Sequence, residues 1–294
     1  GYVMRHEIKE GLLKSLHKLR PKVHGNRINL GHKLAFATTC TDFGLPTVEI
    51  LAFARRGKVR VAGTGFEQDL FLKREHGRGA AGARALIAAP DKPRDVTRRL
   101  RRIARASWRA PVIVQPLLRN HPALTGLAVQ SLLTIRVFTC MDPTGCPVVT
   151  HAMLRSIGKL EPDWPTREEF AAPIDLATGV LGRLCSDRRF GPDDRTAYHP
   201  MTEAPVLGRA VPLWPDIRAL ARRAHRVFAD RLLVGWDIAV TPQGPVLIEG
   251  NSYPDTEFLQ RVHDQPIGDS PLGPLLAHHL QRLEELDGRF RAEV

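Results

Sequence analysis

The sequence has no apolar run that approaches the roughly 20 residues of a membrane span, and no signal-peptide core follows its basic start. It has only four cysteines among 294 residues, at spacings that fit neither a zinc site nor a secreted disulfide scaffold. Its 12 histidines are scattered and form no transition-metal motif. These absences predict a soluble, cytoplasmic protein with no membrane span and no transition-metal centre.

Acidic residues are also in short supply. The chain has 31 Asp and Glu against 43 Lys and Arg, which gives a formal net charge of +12. Such a charge is compatible with a nucleic acid or an acidic membrane, and it also suits a pocket for a polyanionic nucleotide. The sequence has no Ser-His-Asp or Cys-His arrangement of the kind used in covalent catalysis.

Much of the positive charge lies in one segment, residues 92–109. Val96, Leu100 and Ile103 recur at helical spacing, which predicts an amphipathic helix with these residues and Trp108 packed inward. Its arginines then face outward. They lack the interleaved aromatic residues that stack on bases, so a solvated face is favoured and a nucleic-acid partner is disfavoured.

The most informative feature that is present is a predicted β-hairpin over residues 234–251. Turn signals around Gln243 place Asp237 directly opposite Glu249 in an antiparallel pair. Opposed residues project from one face, and strand alternation adds Asn251 to it, so that two carboxylates and an amide oxygen converge. The opposite, apolar face consists of Trp236, Ile238 and Ile248.

Two carboxylates this close repel each other, so their convergence indicates a cation between them. An all-oxygen ligand set favours Mg²⁺, held jointly with nucleotide phosphates. The alternative is a hairpin whose polar residues simply face water. It is weakened by the apolar residues that flank Asp237 and Glu249 on both strands, because these predict a buried position.

The hairpin sequence resembles the C-terminal metal-binding motif of the ATP-grasp superfamily, most closely its sugar-transfer-associated branch. The resemblance runs from about Gly31 to Gln260 and implies an α/β (α+β) fold. In that fold, two α+β lobes hold the nucleotide between them, and an antiparallel sheet binds the metal. It also implies ATP and Mg²⁺ as cofactors, with Asp237, Glu249 and Asn251 as the metal ligands.

A strand that ends in Lys73 precedes a glycine-rich loop. Small residues let backbone N–H groups approach phosphate oxygens, and a preceding lysine supplies a mobile charge. Lysine before glycines is the ATP-grasp order and not that of a P-loop. The predicted phosphate-binding residues here are Lys73, Gly77, Gly79 and Gly82.

Three further nucleotide contacts follow from the resemblance alone. Lys33 opens a helix similar to the family's Asp-Lys helix, with His32 in place of the usual Asp, and is a predicted phosphate contact. Gln115 and the backbone around Leu117 match the family's hinge, and would bind the exocyclic amine and the ring of adenine. An exposed helix lysine and an ordinary strand end are the alternatives.

Arg136 and Arg155 each lie within an apolar predicted strand. A buried arginine needs an anionic partner, and a transferring phosphoryl group is a suitable one. Both positions resemble the family's arginine strands and are the predicted catalytic residues. The alternative is a structural ion pair with Asp237 or Glu249.

The expected organisation is an N-terminal lead-in over residues 1–60, a small lobe over 61–120 and a large lobe over 121–294. The stretch 157–173 departs from the family pattern and would border the acceptor site. The predicted activity joins a small-molecule or peptide carboxylate to an amine through an acyl phosphate, with release of ADP and phosphate. The alternatives are a phosphotransferase on the same scaffold, and a basic nucleic-acid-binding or scaffold protein without catalysis.

Overall fold

The computed structural model describes residues 1–4, 7–8, 13–14, 30–64, 66–75, 84–86, 96–128, 131–157, 169–187 and 195–292. These residues form two antiparallel sheets, one of five strands and one of six, with helices packed against them. The helices are α1 (Lys33–Asp42), α2 (Val96–Ala106), α3 (Trp214–Val227), α4 (Thr256–His263) and α5 (Leu272–Ala292), with 3₁₀ turns at Pro122–Leu124 and Ile267–Asp269.

The smaller sheet has the strand order β2-β1-β5-β3-β4. Its strands are β1 (Ala52–Arg55), β2 (Lys58–Val61), β3 (Leu70–Arg74), β4 (Arg84–Leu86) and β5 (Val112–Pro116). One face packs on Ile103 of helix α2 through Leu72, Val114 and their neighbours. Strand alternation therefore turns Lys73 and Gln115 to the other face. The expected boundary at residue 60 falls within β2, so strands from both sides of it share this sheet.

The larger sheet has the order β11-β10-β6-β7-β8-β9. Its strands are β6 (Thr134–Met141), β7 (Pro147–Ile157), β8 (Glu169–Pro173), β9 (Cys185–Ser186), β10 (Leu233–Thr241) and β11 (Gly244–Asn251). One face packs on helices α1 and α3, where Phe228 lies between Phe36 and Trp236. The second face packs on helices α4 and α5. The candidate site residues of the strands lie on that second face.

The β10–β11 hairpin has the predicted Asp237–Glu249 pair but not the predicted turn. Thr241 pairs with Gly244, so the turn is two residues long and is not centred on Gln243. An extra residue in β11 then shifts the register between Asp237 and Ile238, and this β-bulge restores the pairing. As a consequence Leu247 enters the core, whereas Ile248 is only half-buried, which corrects the prediction for Ile248.

Helix α2 also differs from its prediction at one end. Ile103 is buried as expected, but Trp108 lies beyond the last helical residue and is 70% exposed. Helical spacing does not apply past the end of a helix, so the inward position predicted for Trp108 is wrong. Helix α3 begins at Trp214, where Pro215 fits the first turn of a helix.

Three backbone hydrogen bonds show how the chain passes between the sheets. Leu247 of β11 donates to Pro46 O at 2.9 Å, and Leu51 donates to Val114 O of β5 at 2.9 Å. His121, after β5, donates to Val240 O of β10 at 2.8 Å. Both connecting segments, 46–51 and 117–121, are thus anchored to the larger sheet. Of the helices within the described residues, none is long and apolar enough to cross a membrane.

Candidate active site

The candidate site is built by three neighbouring strands of the larger sheet. Asp237, in β10, pairs with Arg136 of β6 on one side and with Glu249 of β11 on the other. Directly paired residues of an antiparallel sheet share a face, so the three side chains meet. Arg155 of β7 reaches the same point.

Asp237 is held by both predicted catalytic arginines. Arg136 binds it in a bidentate manner, with Nε donating to Oδ1 at 2.7 Å and Nη2 donating to Oδ2 at 2.6 Å. Arg155 Nη1 lies 3.3 Å from Oδ1, and its Nε donates to Glu169. The Asp237 side chain is 6% exposed. The ion pair that the sequence left open is therefore present, and the role of these arginines in phosphoryl transfer stays a prediction.

The two carboxyl groups have opposite electrostatic behaviour. Burial raises the pKa of Asp237, but Arg136 and Arg155 outweigh it, and the pKa falls below its ordinary value. Burial and the charge of Asp237 raise the pKa of Glu249, whose carboxyl group is hydrogen-bonded to Asp237. Of the two carboxyl groups, Glu249 is therefore the one that takes up a proton first as the pH falls, and its protonated form can donate to Asp237.

Asn251 completes the predicted ligand set at the end of β11. Its Nδ2 lies 3.3 Å from Gly235 O and 3.4 Å from Asp237 Oδ2. The opposite end of the amide, Oδ1, is the atom that a cation would use. Gly235 makes room nearby, since a Cβ atom there would lie 2.9 Å from Pro254 Cβ and 3.7 Å from Arg136 Cδ.

The donor set of the site consists of oxygen atoms. Among the described residues, no group of three or more His, Cys, Asp or Glu could hold a metal ion. The hairpin supplies two carboxyl groups and one amide oxygen, from Asp237, Glu249 and Asn251. Such a short set leaves coordination positions for phosphate oxygens and water, which is how Mg²⁺ is usually bound.

Lys73 of the smaller sheet faces this hairpin. Its side chain is buried, and burial lowers its pKa from 10.5 to about 8. The negative charge of Glu249 raises the pKa of Lys73, whereas the positive charge of Lys33 lowers it further. Both lysines are therefore close enough to the carboxyl pair to interact with it or with each other, as the two predicted phosphate contacts require.

His32 and Glu75 form a contact that the sequence analysis missed. His32 is the N-cap of α1, and its Nδ1 accepts from Ala35 N–H at 3.2 Å. Its Nε2 lies 3.3 Å from Oε1 of Glu75, which is buried. This bridge joins the start of the helix that carries Lys33 to the end of the strand that carries Lys73. The only signal in the sequence was the position of Glu75 two residues after Lys73.

The predicted adenine contacts, Gln115 and Leu117, lie at the end of strand β5 and just beyond it. Gln115 is buried on the same face as Lys73, and its Nε2 donates to Val48 O at 3.2 Å, which leaves Oε1 as the atom for an exocyclic amine. Leu117 N–H donates to Asp69 O at 2.8 Å. The structure therefore removes this N–H from the predicted contact with the adenine ring.

Some predicted elements lie outside the described residues. These are Gly77, Gly79 and Gly82 of the glycine-rich loop, together with residues 158–168 of the stretch that departs from the family pattern. Glu169, which lies within the same stretch, was not predicted as a site residue. It contacts Arg155 and so belongs to the site.

The family model for sugar-transfer associated ATP-grasp proteins matches residues 92–269. This range covers more than half of the chain and includes Gln115, both arginines and the β10–β11 hairpin. The chain belongs to the sugar-transfer associated ATP-grasp family. The predicted family and the predicted α/β (α+β) ATP-grasp fold are both confirmed. A comparison with curated proteins gives no match.

Solved structures give distant matches. A D-alanine-D-alanine ligase from Coxiella burnetii is 13% identical, with a TM-score of 0.48, and the match covers 90% of this chain and 61% of that one. A D-alanyl-alanine synthetase A from Vibrio cholerae is 13% identical, with a TM-score of 0.45 and coverages of 85% and 61%. A Bacillus anthracis D-alanine-D-alanine ligase complexed with ATP is 9% identical, with a TM-score of 0.45 and coverages of 88% and 67%. The chain thus spans about 61% of the length of the first two.

Proposed function

We propose that this protein is an ATP- and Mg²⁺-dependent ligase that joins a carboxylate to an amine. In this reaction ATP phosphorylates the carboxylate, the amine displaces phosphate from the acyl phosphate, and ADP and phosphate are released. The observation that carries the proposal is the convergence of Asp237, Glu249 and Asn251 on one face of a hairpin, with Asp237 buried next to Arg136 and Arg155.

The proposed Mg²⁺ ligands fit the cation because of the carboxyl pair. Burial and the neighbouring charge of Asp237 raise the pKa of Glu249, so a proton at this pair is favoured over two facing carboxylates. A divalent cation supplies the positive charge that this proton supplies otherwise, and both carboxylates can then ionise. When bound there, Mg²⁺ would neutralise phosphate charge during transfer. Asn251 would contribute its amide oxygen.

The arginines are the proposed residues that stabilise the transferring phosphoryl group. In the ligand-free protein, both oxygens of Asp237 are taken up by Arg136. Each oxygen keeps a lone pair for a cation, but a cation bound at Asp237 would compensate part of its charge and make a guanidinium group easier to displace. Phosphate oxygens offer the displaced guanidinium an equally charged acceptor, so nucleotide binding and metal binding should favour each other. Arg155, held by Glu169, would contribute from the neighbouring strand.

The proposed nucleotide contacts lie mainly on the smaller sheet. Lys73 and Lys33 would bind phosphate oxygens, and burial of Lys73 strengthens such an interaction because water screens it less. Gln115 Oε1 would accept a hydrogen bond from the exocyclic amine of adenine. ATP would then lie between the smaller sheet and the second face of the larger one, as the family assignment supports.

Two experiments test this proposal: thermal stabilisation by nucleotide, and then chemical trapping of the intermediate. The protein should gain thermal stability from Mg²⁺–ADP, and little from ADP with EDTA. With ATP and pooled carboxylates, hydroxylamine should trap the acyl phosphate as a hydroxamate. A stable phosphorylated product without hydroxamate would instead show a phosphotransferase.

Variants of Arg136 and Arg155 test whether these residues act in phosphoryl transfer. Arg136→Lys and Arg155→Lys should each slow hydroxamate formation while sparing Mg²⁺–ADP affinity, because a residue that acts in the transition state lowers the rate and not ground-state binding. Arg222→Lys, an exposed change on α3, is the matched control. A protein that shows no response to any Mg²⁺–nucleotide would refute the proposal as a whole.

A further inference from the structure

Helix α2 has an exposed face made of arginine. Over residues 98–109, every exposed side chain is an arginine or Trp108, and residues 96–109 contain no Asp or Glu. The exposed set, called here the arginine face, is Arg98, Arg101, Arg102, Arg105, Trp108 and Arg109. This face is remote from the chemistry proposed above, because α2 packs against the opposite side of the smaller sheet from Lys73 and Gln115.

The charges of the arginine face repel one another. Within the helix, Arg98 and Arg102 are four residues apart, as are Arg101 and Arg105, and this is the spacing at which like charges destabilise a helix. Among the described residues, Arg101, Arg102, Arg105 and Arg109 have no ion-pair partner. Solvated helix faces usually alternate in sign. An anionic partner would relieve this repulsion and bind the arginines. The charge pattern therefore indicates that the arginine face binds an anionic partner.

Trp108 is exposed but held in place. Ser107 accepts hydrogen bonds from Arg56 N–H, at 3.1 Å through its carbonyl, and from Gly57 N–H, at 2.9 Å through its hydroxyl. The indole lies against Gly57, where a Cβ atom would come within 2.6 Å of Trp108 Nε1. The glycine also has a φ of +78°, which other residues rarely adopt. The fold therefore fixes a large aromatic ring beside the arginines at 70% exposure.

We infer that the arginine face docks on the surface of an anionic phospholipid bilayer, with the Trp108 indole among the headgroups. A bilayer offers phosphates in a plane, which several arginines along one helix can meet at once, and Trp prefers the membrane interface. A nucleic acid fits less well. The face has one aromatic residue at its end and not a series for base stacking.

Vesicle co-sedimentation of the full chain tests the inference. The vesicles are pure phosphatidylcholine, or phosphatidylcholine with 30% phosphatidylglycerol, at about 0.1 M and 0.5 M NaCl. The test variant is Arg101→Gln with Arg105→Gln and Arg109→Gln. The matched control removes the same charge from exposed arginines elsewhere, through Arg222→Gln, Arg226→Gln and Arg282→Gln. Labelled single- and double-stranded DNA form a parallel arm.

We expect binding to the anionic vesicles only, and weaker binding at the higher salt concentration. Each lost arginine should lower the partition coefficient about five-fold, so the test variant should lose about 100-fold and the control little. Brominated lipids should quench Trp fluorescence in the wild type and much less in Trp108→Phe. Equal loss in both triple variants, no vesicle binding, or tighter binding to DNA at equal phosphate concentration would each overturn the inference.

Discussion

At the scale of single residues, the site is defined by how buried charges are compensated. Asp237 has two guanidinium partners, whereas Glu249 has a hydrogen bond to another carboxyl group. Removing a charge has opposite consequences in the two cases. When a buried ion pair loses one partner, the other remains as an uncompensated charge. When a carboxyl group that is repelled by another becomes neutral, the electrostatic repulsion between them disappears.

Asp237→Asn and Glu249→Gln should therefore differ in stability without metal. We expect Asp237→Asn to lose about 3–5 kcal/mol of unfolding free energy, because Arg136 becomes a buried and unpaired charge. Glu249→Gln should lose little or gain, since the Gln amide can donate to Asp237 as the protonated carboxyl group does. Urea denaturation in EDTA measures both, and equal losses would contradict the proposed charge distribution. Both variants should lose their stabilisation by Mg²⁺–ADP.

The pKa of Lys73 predicts a pH dependence of nucleotide binding. Burial lowers this pKa to about 8, so the side chain loses its charge as the pH rises through 8, and phosphate binding needs the charged form. Affinity for Mg²⁺–ADP should fall between pH 7 and pH 9.5, as measured by calorimetry. Lys73→Arg should flatten the profile because guanidinium stays charged, while Lys33→Arg should keep the wild-type shape.

Truncation at the same two positions separates their contributions. Lys73→Ala should cost about 1.5–3 kcal/mol of binding free energy, the range for a hydrogen bond to a charged group. Lys33→Ala should cost less, because Lys73 is the buried residue at the mouth of the predicted glycine-rich loop. Equal or reversed losses would contradict this ranking.

At the scale of elements, the β10–β11 hairpin shows what local sequence can and cannot predict. The pairing of Asp237 with Glu249 was predicted correctly, but from a turn that the structure does not have. A shorter turn and a β-bulge compensate for each other. Turn residues alone do not distinguish these two solutions, because the same Pro and Gly signals fit both. The difference emerges only in which neighbouring residue enters the core.

Leu247→Ala and Ile248→Ala test the bulge. Leu247 is fully buried in the larger core, so its truncation should cost about 2–5 kcal/mol of unfolding free energy. Ile248 is half-buried and should cost about 1 kcal/mol or less. The two side chains lose the same number of carbon atoms, so each serves as the control for the other. A larger loss at Ile248 in chemical denaturation would favour the uninterrupted register.

At the scale of the whole molecule, the site depends on contacts between distant segments. Neighbouring strand β6 brings Arg136 to Asp237 across 101 positions of sequence. Composition and periodicity do not specify which strands are neighbours, so the sequence left open whether the arginines bind phosphate or Asp237. The resemblance to the family predicted the fold and the residue types. The ion pairs of Asp237 with the arginines could be predicted only from the order of the strands in the sheet. The His32–Glu75 bridge escaped prediction for the same reason.

That bridge connects the two elements that carry the proposed phosphate contacts, Lys33 and Lys73. His32 belongs to the segment that packs with the larger sheet, and Glu75 follows strand β3 of the smaller one. Because Nδ1 of His32 accepts from Ala35 N–H, Nε2 carries the proton and can donate to Glu75. The contact should therefore set the distance between Lys33 and Lys73, and through it the fit of a polyphosphate.

His32→Asn isolates this effect, because Asn is a good N-cap but is too short to reach Glu75. We expect its unfolding free energy to stay within about 1 kcal/mol of the wild type, while Mg²⁺–ADP affinity falls about ten-fold, the equivalent of about 1.4 kcal/mol. Glu75→Gln keeps an oxygen for Nε2–H and should retain most of the affinity. Calorimetry and denaturation on the three proteins separate binding from stability. Wild-type affinity in His32→Asn would show that the bridge does not position the lysines, and a matching loss of stability would show that its role is only structural.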